Sequence, residues 1–265
     1  MTDQPVRLTA AEGVATIAID RPAARNALDT ATKEALLAAL RAVTDDATVR
    51  CVVLTGTGRR AFSAGQDLKE HQALLASGDI ARLWSTVPKH YNPIALALHE
   101  LDKPVVAGVN GVAAGAGAAL VFLADYRLLA SSAAIDTAFS RIGLSCDTGT
   151  SWTLPRLVGP TRALELLLRP RTIPSDEALA LGIATEVVPD TDFPSRLSEL
   201  AATLAAGPTL AYASIRRSVA YSATHTLAES LEFEGEQMRR TGASQDHQAA
   251  VDAFLAKRSP EFTGR

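Results

Sequence analysis

The sequence predicts an α/β protein with a helical C-terminal region. Strand-like and helix-like segments alternate along the first two thirds of the chain, which is typical of layered α/β architectures. Strand-like patterns stop near residue 192, and helical patterns fill the remainder. The 265 residues are 47% hydrophobic, enough for one large domain or one domain with an appendage. We therefore assign an α/β body to 1–192 and a helical assembly element to 193–265, because amphipathic helices must bury their apolar faces.

The predicted elements follow from apolar periodicity and from the residues that begin or end helices. Strands are predicted, in chain order, at 13–19, 49–55, 105–109 and 126–130. Helices are predicted at about 30–43, 80–101, 115–124, 193–206, 208–221, 225–240 and 245–257. Asp29 and Thr30 are candidate N-caps of the first helix. Pro88 and Pro93 predict breaks in the second helix.

The bulk chemistry gives no sign of a nucleic-acid, membrane or metal partner. The net charge of −3 exerts no general attraction toward nucleic acid or anionic lipid. Cys51 and Cys146 are too few and too far apart in sequence for a disulfide framework or a zinc site. No signal peptide or membrane-spanning run is visible. We expect a cytoplasmic protein that binds no metal.

Two glycine- and alanine-rich loops carry the strongest indication of chemistry. Residues 61–68 and 110–120 each follow a strand-like run, and each precedes a segment that can be helical. Main-chain N–H groups at a helix start have no intrahelical partner, and the helix dipole favours negative charge there. Two such donors facing one point can stabilise the oxyanion that forms from a carbonyl group. For the second loop alone, close packing of a helix on a sheet is an equally good interpretation.

Other glycine-rich motifs do not fit these loops. The second loop has Gly115 and Gly117, but Leu120 occupies the third glycine position of the dinucleotide-binding fingerprint. The sequence lacks the Gly-Lys-Ser/Thr of a Walker phosphate loop and the Gly-x-Ser-x-Gly of a serine hydrolase. Carbonyl chemistry is therefore the favoured interpretation.

The two loops, in this order and spacing, resemble those of the crotonase superfamily, which includes the enoyl-CoA hydratases and isomerases. Residues 19–22 and 26–28 are similar to that family's first CoA-contacting loop, and 102–105 to the start of its central strand. Phe254 and Lys257 resemble a terminal helix that reaches a neighbouring subunit's CoA. The resemblance implies a crotonase-like ββα spiral core with a C-terminal helical trimerisation region. It also implies an acyl-CoA substrate, a homotrimer or dimer of trimers, and no cofactor beyond coenzyme A as part of the substrate.

The resemblance also assigns roles to individual residues. The main-chain N–H groups of Gln66 and Ala116 are the implied oxyanion donors, and Ala116 stands where the family has the middle of three glycines. The implied CoA-binding residues are Arg21, Arg25, Ala27, Ala64, Asp67, Leu68, Phe254 and Lys257. Solvated surface charge is the alternative for the cations among them, and a structural role within the loop is the alternative for Asp67.

The resemblance places the catalytic carboxylate at Asp147. The two positions that carry glutamates in the family's hydratases are Ala119 and Phe139 here, and neither side chain can transfer a proton. Residues 142–156 resemble the branch that contains 1,2-epoxyphenylacetyl-CoA isomerase, in which an aspartate at this position is the acid/base. The segment is also similar to 4-chlorobenzoyl-CoA dehalogenase, but Asn92 occupies the position of that enzyme's histidine. A helix N-cap is the structural alternative for Asp147.

We therefore predict an enoyl-CoA double-bond isomerase in which Asp147 moves a proton while Gln66 and Ala116 stabilise a thioester enolate. One carboxylate suffices for this reaction, whereas hydration usually needs two acid/base groups. Two alternatives stay open: an enoyl-CoA hydratase with atypical catalytic residues, and a non-catalytic acyl-CoA-binding trimer. An apolar acyl pocket is predicted from Leu74, Leu75, Trp84 and Phe139.

Overall fold

Two β-sheets form the α/β body in the computed structural model, which describes residues 4–265. The strands of that range are β1 (Val6–Ala11), β2 (Val14–Ile19), β3 (Cys51–Gly56), β4 (Ala61–Ser63), β5 (Val105–Val109), β6 (Val112–Ala114), β7 (Tyr126–Ala130), β8 (Ala134–Asp136), β9 (Ile173–Pro174) and β10 (Glu186–Val188). A six-stranded sheet has the order β1-β2-β3-β5-β7-β10, and a four-stranded sheet has the order β4-β6-β8-β9. Pairing is parallel except between β1 and β2 and between β8 and β9, each at one edge of its sheet.

Helices cover the sheets and fill the C-terminal region. Their bounds are α1 (Thr30–Asp45), α2 (Leu68–Ser77), α3 (Ile80–Thr86), α4 (Asn92–Glu100), α5 (Ala116–Phe122), α6 (Thr150–Val158), α7 (Pro160–Leu168), α8 (Ser175–Ala180), α9 (Phe193–Ala205), α10 (Thr209–Ser222), α11 (Leu227–Gly242) and α12 (Gln245–Leu255). The predicted α/β class and the helical C-terminal region are confirmed. Over residues 4–265, the helices are all too short or too polar to cross a bilayer.

The strands that the sequence did not predict are exposed or very short. β1 buries only Val6 and exposes its other five residues, so it carries no two-residue apolar period. The strands of the four-stranded sheet all have two or three residues, too few to show a period. The four predicted strands are confirmed with small shifts at their ends.

The central strands of the large sheet are buried on both faces. Val52 and Leu54 of β3 join the main core with α1 and α4, whereas Cys51 and Val53 face the other side and pack against α9. Such strands are continuously apolar because helices cover both faces of a parallel sheet. The division of the chain at 192 stays a prediction, and α9, the first helix after it, covers the sheet of the α/β body.

The helical stretch from α3 to α4 continues through Pro88, so the predicted break there is wrong. Residues 87–91 form one wider, π-helical turn between the two helices. A π-helical turn tolerates the missing N–H of proline, so the chain continues in the same direction. Pro93 lies in the first turn of α4, where a missing N–H costs little. The continuous path buries Tyr91 between this stretch and the first glycine-rich loop.

The two sheets bring the glycine-rich loops together. β4 and β6 are parallel neighbours in the small sheet, and each lies inside one of the glycine-rich segments, 61–68 and 110–120, a few residues before the helix that follows. The same ends of parallel strands lie at the same edge of a sheet. The helices that follow, α2 and α5, therefore begin side by side.

Candidate active site

The two loops approach each other at two glycines. Gly65 has a φ of +80°, and a Cβ atom there would lie 2.6 Å from the carbonyl oxygen of Ala114 and 3.2 Å from the nitrogen of Ala116. A Cβ atom on Gly117 would lie 2.4 Å from the carbonyl oxygen of Ser63. The distances to the two carbonyl oxygens, 2.6 and 2.4 Å, are too short for a van der Waals contact. Only glycine therefore allows this approach at either position.

Two main-chain N–H groups at this junction are available to an external acceptor. The N–H groups of Ala64 and Asp67 donate to Arg25 O at 3.0 Å and to Leu28 O at 3.1 Å. That of Gln66, between them, donates to no protein acceptor in the described range 4–265. Ala116 is the first residue of α5, so its N–H has no partner within its own helix.

Gln66, Ala116 and Asp147 line one small cavity of about 140 Å³. Ala64 and Leu68 of the predicted CoA-binding set line it as well. The remaining lining residues are mainly apolar or aromatic: His71, Leu83, Trp84, Thr86, Val87, Tyr91, Gly115, Ala138, Phe139, Ile142 and Leu144. The cavity therefore combines two main-chain donors and one carboxyl group with an apolar wall.

The Asp147 carboxylate does not cap a helix, so the structural alternative for this residue is wrong. Helix α6 begins after Gly149 and has no side-chain cap, and it is the main-chain oxygen of Asp147 that accepts from Thr150. The Asp147 carboxylate instead accepts a hydrogen bond from the Thr148 hydroxyl at 2.8 Å. Burial raises the pKa of the Asp147 carboxyl, while the Thr148 hydroxyl and the Lys33 cation act in the opposite direction.

The predicted acyl pocket is partly correct. Trp84 and Phe139 line the cavity, and His71 packs against Trp84 edge to face at 5.9 Å between ring centroids. Leu75 is exposed, and Leu74 lines a neighbouring polar cavity, so the prediction that they form the pocket wall is wrong. Both lie in the second half of α2, several residues after the loop that contains Gln66.

The two positions at which the family's hydratases carry glutamates hold no acid/base group in this chain. Ala119 is fully buried within α5, and Phe139 presents its ring to the cavity. Asn92 is exposed, and His90 lies in the neighbouring polar cavity, where its Nδ1 is 3.1 Å from the Thr86 hydroxyl. Of the acidic side chains in residues 4–265, only Asp147 lines the acyl cavity.

Arg21 and Asp67 of the predicted CoA-binding set contact each other. Arg21 pairs with Asp67 at 3.0 Å and with Asp29 at 2.9 Å. The Asp67 carboxylate also caps α2 through the N–H groups of Lys69 and Glu70. Partial burial disfavours the ionised form of Asp67, but the hydrogen bonds from Arg21 and from the helix outweigh it and lower the pKa of Asp67. The Asp67 carboxylate therefore supports the loop, and the roles of Arg21 and Asp67 in CoA binding stay predictions.

The other predicted CoA-binding residues lie outside the cavity. Arg25 is exposed in the predicted CoA-contacting loop at 19–28, and Ala27 is buried beside it. Phe254, 81% exposed, and Lys257, also exposed, lie at the C-terminal end of α12. Their roles in CoA binding stay predictions. Across residues 4–265, His, Cys, Asp and Glu side chains form no group of three that could hold a metal ion.

A polar cluster around Gln66 was not predicted from the sequence. It consists of the buried Lys33 and Tyr91 and the partly exposed Glu70 and Thr86. One signal was available for it. Lys33 precedes Leu36, Leu37 and Leu40 by helical spacings, so it lies on the apolar face of α1. A lysine on such a face is normally expected to extend its amine to solvent, which conceals the signal.

Comparisons with known proteins agree with this geometry. The family model for enoyl-CoA hydratase/isomerase matches residues 9–265. The chain is 40% identical to a Rhodobacter capsulatus protein named "Probable enoyl-CoA hydratase", over 100% of both chains. It is 39% identical to the 1,2-epoxyphenylacetyl-CoA isomerase of Escherichia coli, over 96% of each chain. A solved structure from Mycobacterium abscessus matches with a TM-score of 0.94 and 42% identity, over 98% of this chain and 100% of that one. The chain has the crotonase fold and belongs to the enoyl-CoA hydratase/isomerase family.

Proposed function

We propose that the protein moves a carbon–carbon double bond within an enoyl-CoA thioester, with Asp147 as the acid/base. The observation that carries the proposal is the content of the acyl cavity. It holds the residues of two candidate main-chain donors, Gln66 and Ala116, and a single carboxyl group. The two positions where a hydratase of the family has glutamates are Ala119 and Phe139. One carboxylate is sufficient for a proton shuttle between two carbons.

In the proposed reaction, the thioester oxygen accepts hydrogen bonds from the N–H groups of Gln66 and Ala116. The Asp147 carboxylate removes a proton from the carbon between the thioester and the double bond, and the C–H electron pair moves into an enolate. The same carboxyl group, whose proton exchanges with solvent, delivers a proton to the far carbon, so the double bond shifts and the atom count of the substrate is unchanged. The loss of one oxyanion donor costs about 10²- to 10³-fold in comparable enzymes, which is the scale expected of each amide.

Burial of Asp147 suits this role. It raises the pKa of the carboxyl group, which makes the ionised form a stronger base toward a weakly acidic C–H bond. The Thr148 hydroxyl, at 2.8 Å, fixes one carboxylate oxygen. The second oxygen is then free to face the substrate.

We further propose a homotrimer or a dimer of trimers. Helices α10, α11 and α12 expose large apolar side chains: Ile215, Val219, Leu227, Leu231, Met238, Val251, Phe254 and Leu255. Such a surface indicates an interface. In the proposed assembly, Phe254 and Lys257 reach a neighbour's coenzyme A, and Arg25 contributes from the CoA-contacting loop at 19–28. Coenzyme A enters only as part of the substrate. Sedimentation equilibrium of the intact chain tests the oligomeric state.

The experiment for the catalytic proposal is NMR in D2O with 3-hexenoyl-CoA and 2-hexenoyl-CoA. Wild type is expected to interconvert the two and to introduce deuterium at the α and γ carbons. Asp147→Asn is expected to slow both processes by about 10²- to 10⁴-fold, the usual scale for a general base. Asp176→Asn, an exposed residue of α8, is the matched control and is expected to match wild type.

Each other outcome identifies an alternative. A 3-hydroxy product from 2-hexenoyl-CoA identifies a hydratase, an alternative supported by the name of the Rhodobacter capsulatus relative. Exchange that is unchanged in Asp147→Asn overturns the assignment of the base. Binding of both thioesters without exchange or product favours the non-catalytic acyl-CoA-binding trimer.

A further inference from the structure

The side chain of Gln66 is held by two buried donors. The Lys33 amine, in a side chain only 1% exposed, donates to Gln66 Oε1 at 3.0 Å and to the Thr86 hydroxyl at 2.7 Å. The Tyr91 hydroxyl donates to the same Gln66 Oε1 at 2.7 Å, and Tyr91 is 2% exposed. An amide oxygen has two lone pairs, so these two bonds saturate it.

The other end of the Gln66 side chain is also restrained. Its Nε2 lies 3.4 Å from Glu70 Oε2, and Glu70 Oε1 accepts from the N–H of Thr30 at 3.1 Å. The same carboxylate lies 3.8 Å from the Lys33 amine. Residues from α1, α2 and the turn at 87–91 thus converge on one glutamine side chain.

A buried lysine costs stability unless its charge is compensated. Burial lowers the pKa of Lys33, because the charged amine loses hydration, although Glu70 partly compensates for it. Apolar residues of similar volume often replace buried charges without loss of stability. The arrangement therefore calls for an explanation in terms of the site that Gln66 lines.

The main chain before Gln66 contains a glycine, so the orientation of the Gln66 N–H depends on contacts that restrain it. The N–H of Gln66 belongs to the peptide plane that follows Gly65, a residue with a φ of +80° and no side chain to restrict rotation. Leu28 N–H holds one end of this plane by donating to Gly65 O at 2.8 Å. The N–H of Asp67 holds the main chain after Gln66 by donating to Leu28 O at 3.1 Å. The contacts of the Gln66 side chain add a further point of attachment at Gln66 itself.

We propose that Lys33 and Tyr91 are positioning residues that clamp the Gln66 side chain and thereby hold the Gln66 N–H in line with the substrate thioester oxygen. This inference rests on the proposed function, in which that N–H is an oxyanion donor. Lys33 and Tyr91 act through Gln66 and need no contact with the reacting atoms.

Tyr91 also lines the acyl cavity, so a direct contact with substrate is the rival explanation. Burial keeps the pKa of the Tyr91 phenol well above its ordinary value, so the hydroxyl stays protonated and remains a donor to Gln66. The two explanations differ in a double-mutant cycle. If Tyr91 acts through Gln66, removal of the Gln66 amide makes the Tyr91 hydroxyl irrelevant.

The test uses Lys33→Met, Tyr91→Phe, Gln66→Met and the double variant Tyr91→Phe/Gln66→Met in the intact chain. Gln66→Met removes the side-chain amide but keeps the main-chain N–H. Tyr126→Phe, a partly exposed tyrosine outside the cavity, is the matched control. The first measurement is the infrared carbonyl stretch of bound [1-¹³C]butyryl-CoA, a saturated thioester that can be neither hydrated nor isomerised. The second is kcat and KM for 3-hexenoyl-CoA.

We expect wild type to lower the carbonyl stretching frequency relative to free thioester, and the single variants to show a smaller shift. Their kcat is expected to fall about 10-fold, less than the 10²- to 10³-fold loss of a whole donor, with KM within about twofold. The double variant is expected to equal Gln66→Met alone. Tyr91→Phe loses one hydroxyl and keeps its ring, so it remains informative where Lys33→Met fails to fold.

Three results would overturn the inference. Variants that keep the wild-type frequency shift and kcat overturn the clamp alone and leave the proposed function intact. A double variant with the product of the two single losses shows that Tyr91 acts on the substrate directly. A wild-type protein that does not shift the carbonyl frequency overturns the oxyanion proposal and the clamp with it.

Discussion

The two glycine- and alanine-rich loops present a main-chain amide to the same cavity, but they are held in different ways. In the second loop, Ala116 begins a helix whose seven residues are all buried, and Gly117 packs directly on Ser63. In the first loop, polar contacts hold Gln66 through Lys33 and Tyr91. Both loops pack closely at a glycine, Gly65 or Gly117, and the first loop adds side-chain hydrogen bonds at Gln66.

The difference has consequences for how each loop fails. Close-packed interiors respond steeply to an added methyl group, because no space exists to absorb it. A network of hydrogen bonds and ion pairs loses its members one at a time and responds to pH. A single substitution at the packed glycine of the second loop should therefore cause a large loss of stability and activity. Single substitutions in the polar contacts of the first loop should each cause a smaller loss.

The largest effect is expected from Gly117→Ala. The new methyl group would lie 2.4 Å from Ser63 O, so α5 must move away from β4 and carry the Ala116 N–H with it. We expect a loss of about 1–3 kcal/mol in the free energy of unfolding and a fall of at least about 10²-fold in the exchange rate. Urea denaturation and NMR exchange in D2O measure the two quantities.

Gly242→Ala is the control for this substitution, because a Cβ atom there meets nothing within 4 Å. It is expected to keep wild-type exchange and to leave stability unchanged or slightly higher. If Gly117→Ala behaves like Gly242→Ala, close packing is not what fixes the second loop.

A smaller effect is expected from Thr148→Val, which tests the base that shares the cavity with both loops. Only ionised Asp147 can accept a proton, so kcat/KM should fall about tenfold per pH unit below its raised pKa. The Thr148 hydroxyl favours the ionised form, and its removal should raise the pKa of Asp147 further. The acid limb of the pH profile should move to higher pH in Thr148→Val and stay in place in Thr148→Ser. If wild type and both variants show the same acid limb, that limb does not report the ionisation of Asp147.

The sequence was sufficient to predict the features that depend on local pattern. The α/β alternation, the two loops and the position of Asp147 are all readable from consecutive residues. The structure places Gln66, Ala116 and Asp147 on one cavity, although Asp147 lies 81 residues after Gln66 in the chain. Family resemblance, rather than periodicity, is what linked these distant positions.

The features that the sequence did not reveal depend on contacts between distant segments. Lys33 is buried only because α1, α2 and the turn at 87–91 meet around it, and no local pattern specifies that meeting. The pairing of Arg21 with Asp67 joins residues 46 positions apart, so no local pattern predicts it. The π-helical turn at Pro88 likewise depends on packing that a proline rule cannot include.

The smallest effect is expected from Asp67→Ala, which removes a polar support of the first loop and leaves Gln66 in place. The Asp67 carboxylate caps α2 and pairs with Arg21, and its lowered pKa means that the ionised form stabilises the folded state. The stabilisation is present above the ordinary pKa of aspartate and is lost as the pH falls through the lowered value. We expect a cost of about 1 kcal/mol at neutral pH, the usual scale for a lost cap, and a smaller difference from wild type in acid.

The control is Asp79→Ala, which removes the cap of the neighbouring helix α3. Asp79 is exposed, accepts from only one helix N–H and has no ion pair with Arg or Lys in residues 4–265, so its loss should cost less. Urea denaturation at neutral and acid pH compares the two variants with wild type. Equal costs that do not change with pH would mean that charge does not support the first loop. The contrast between a loop held by packing and a loop held by polar contacts would then rest on the Gln66 clamp alone.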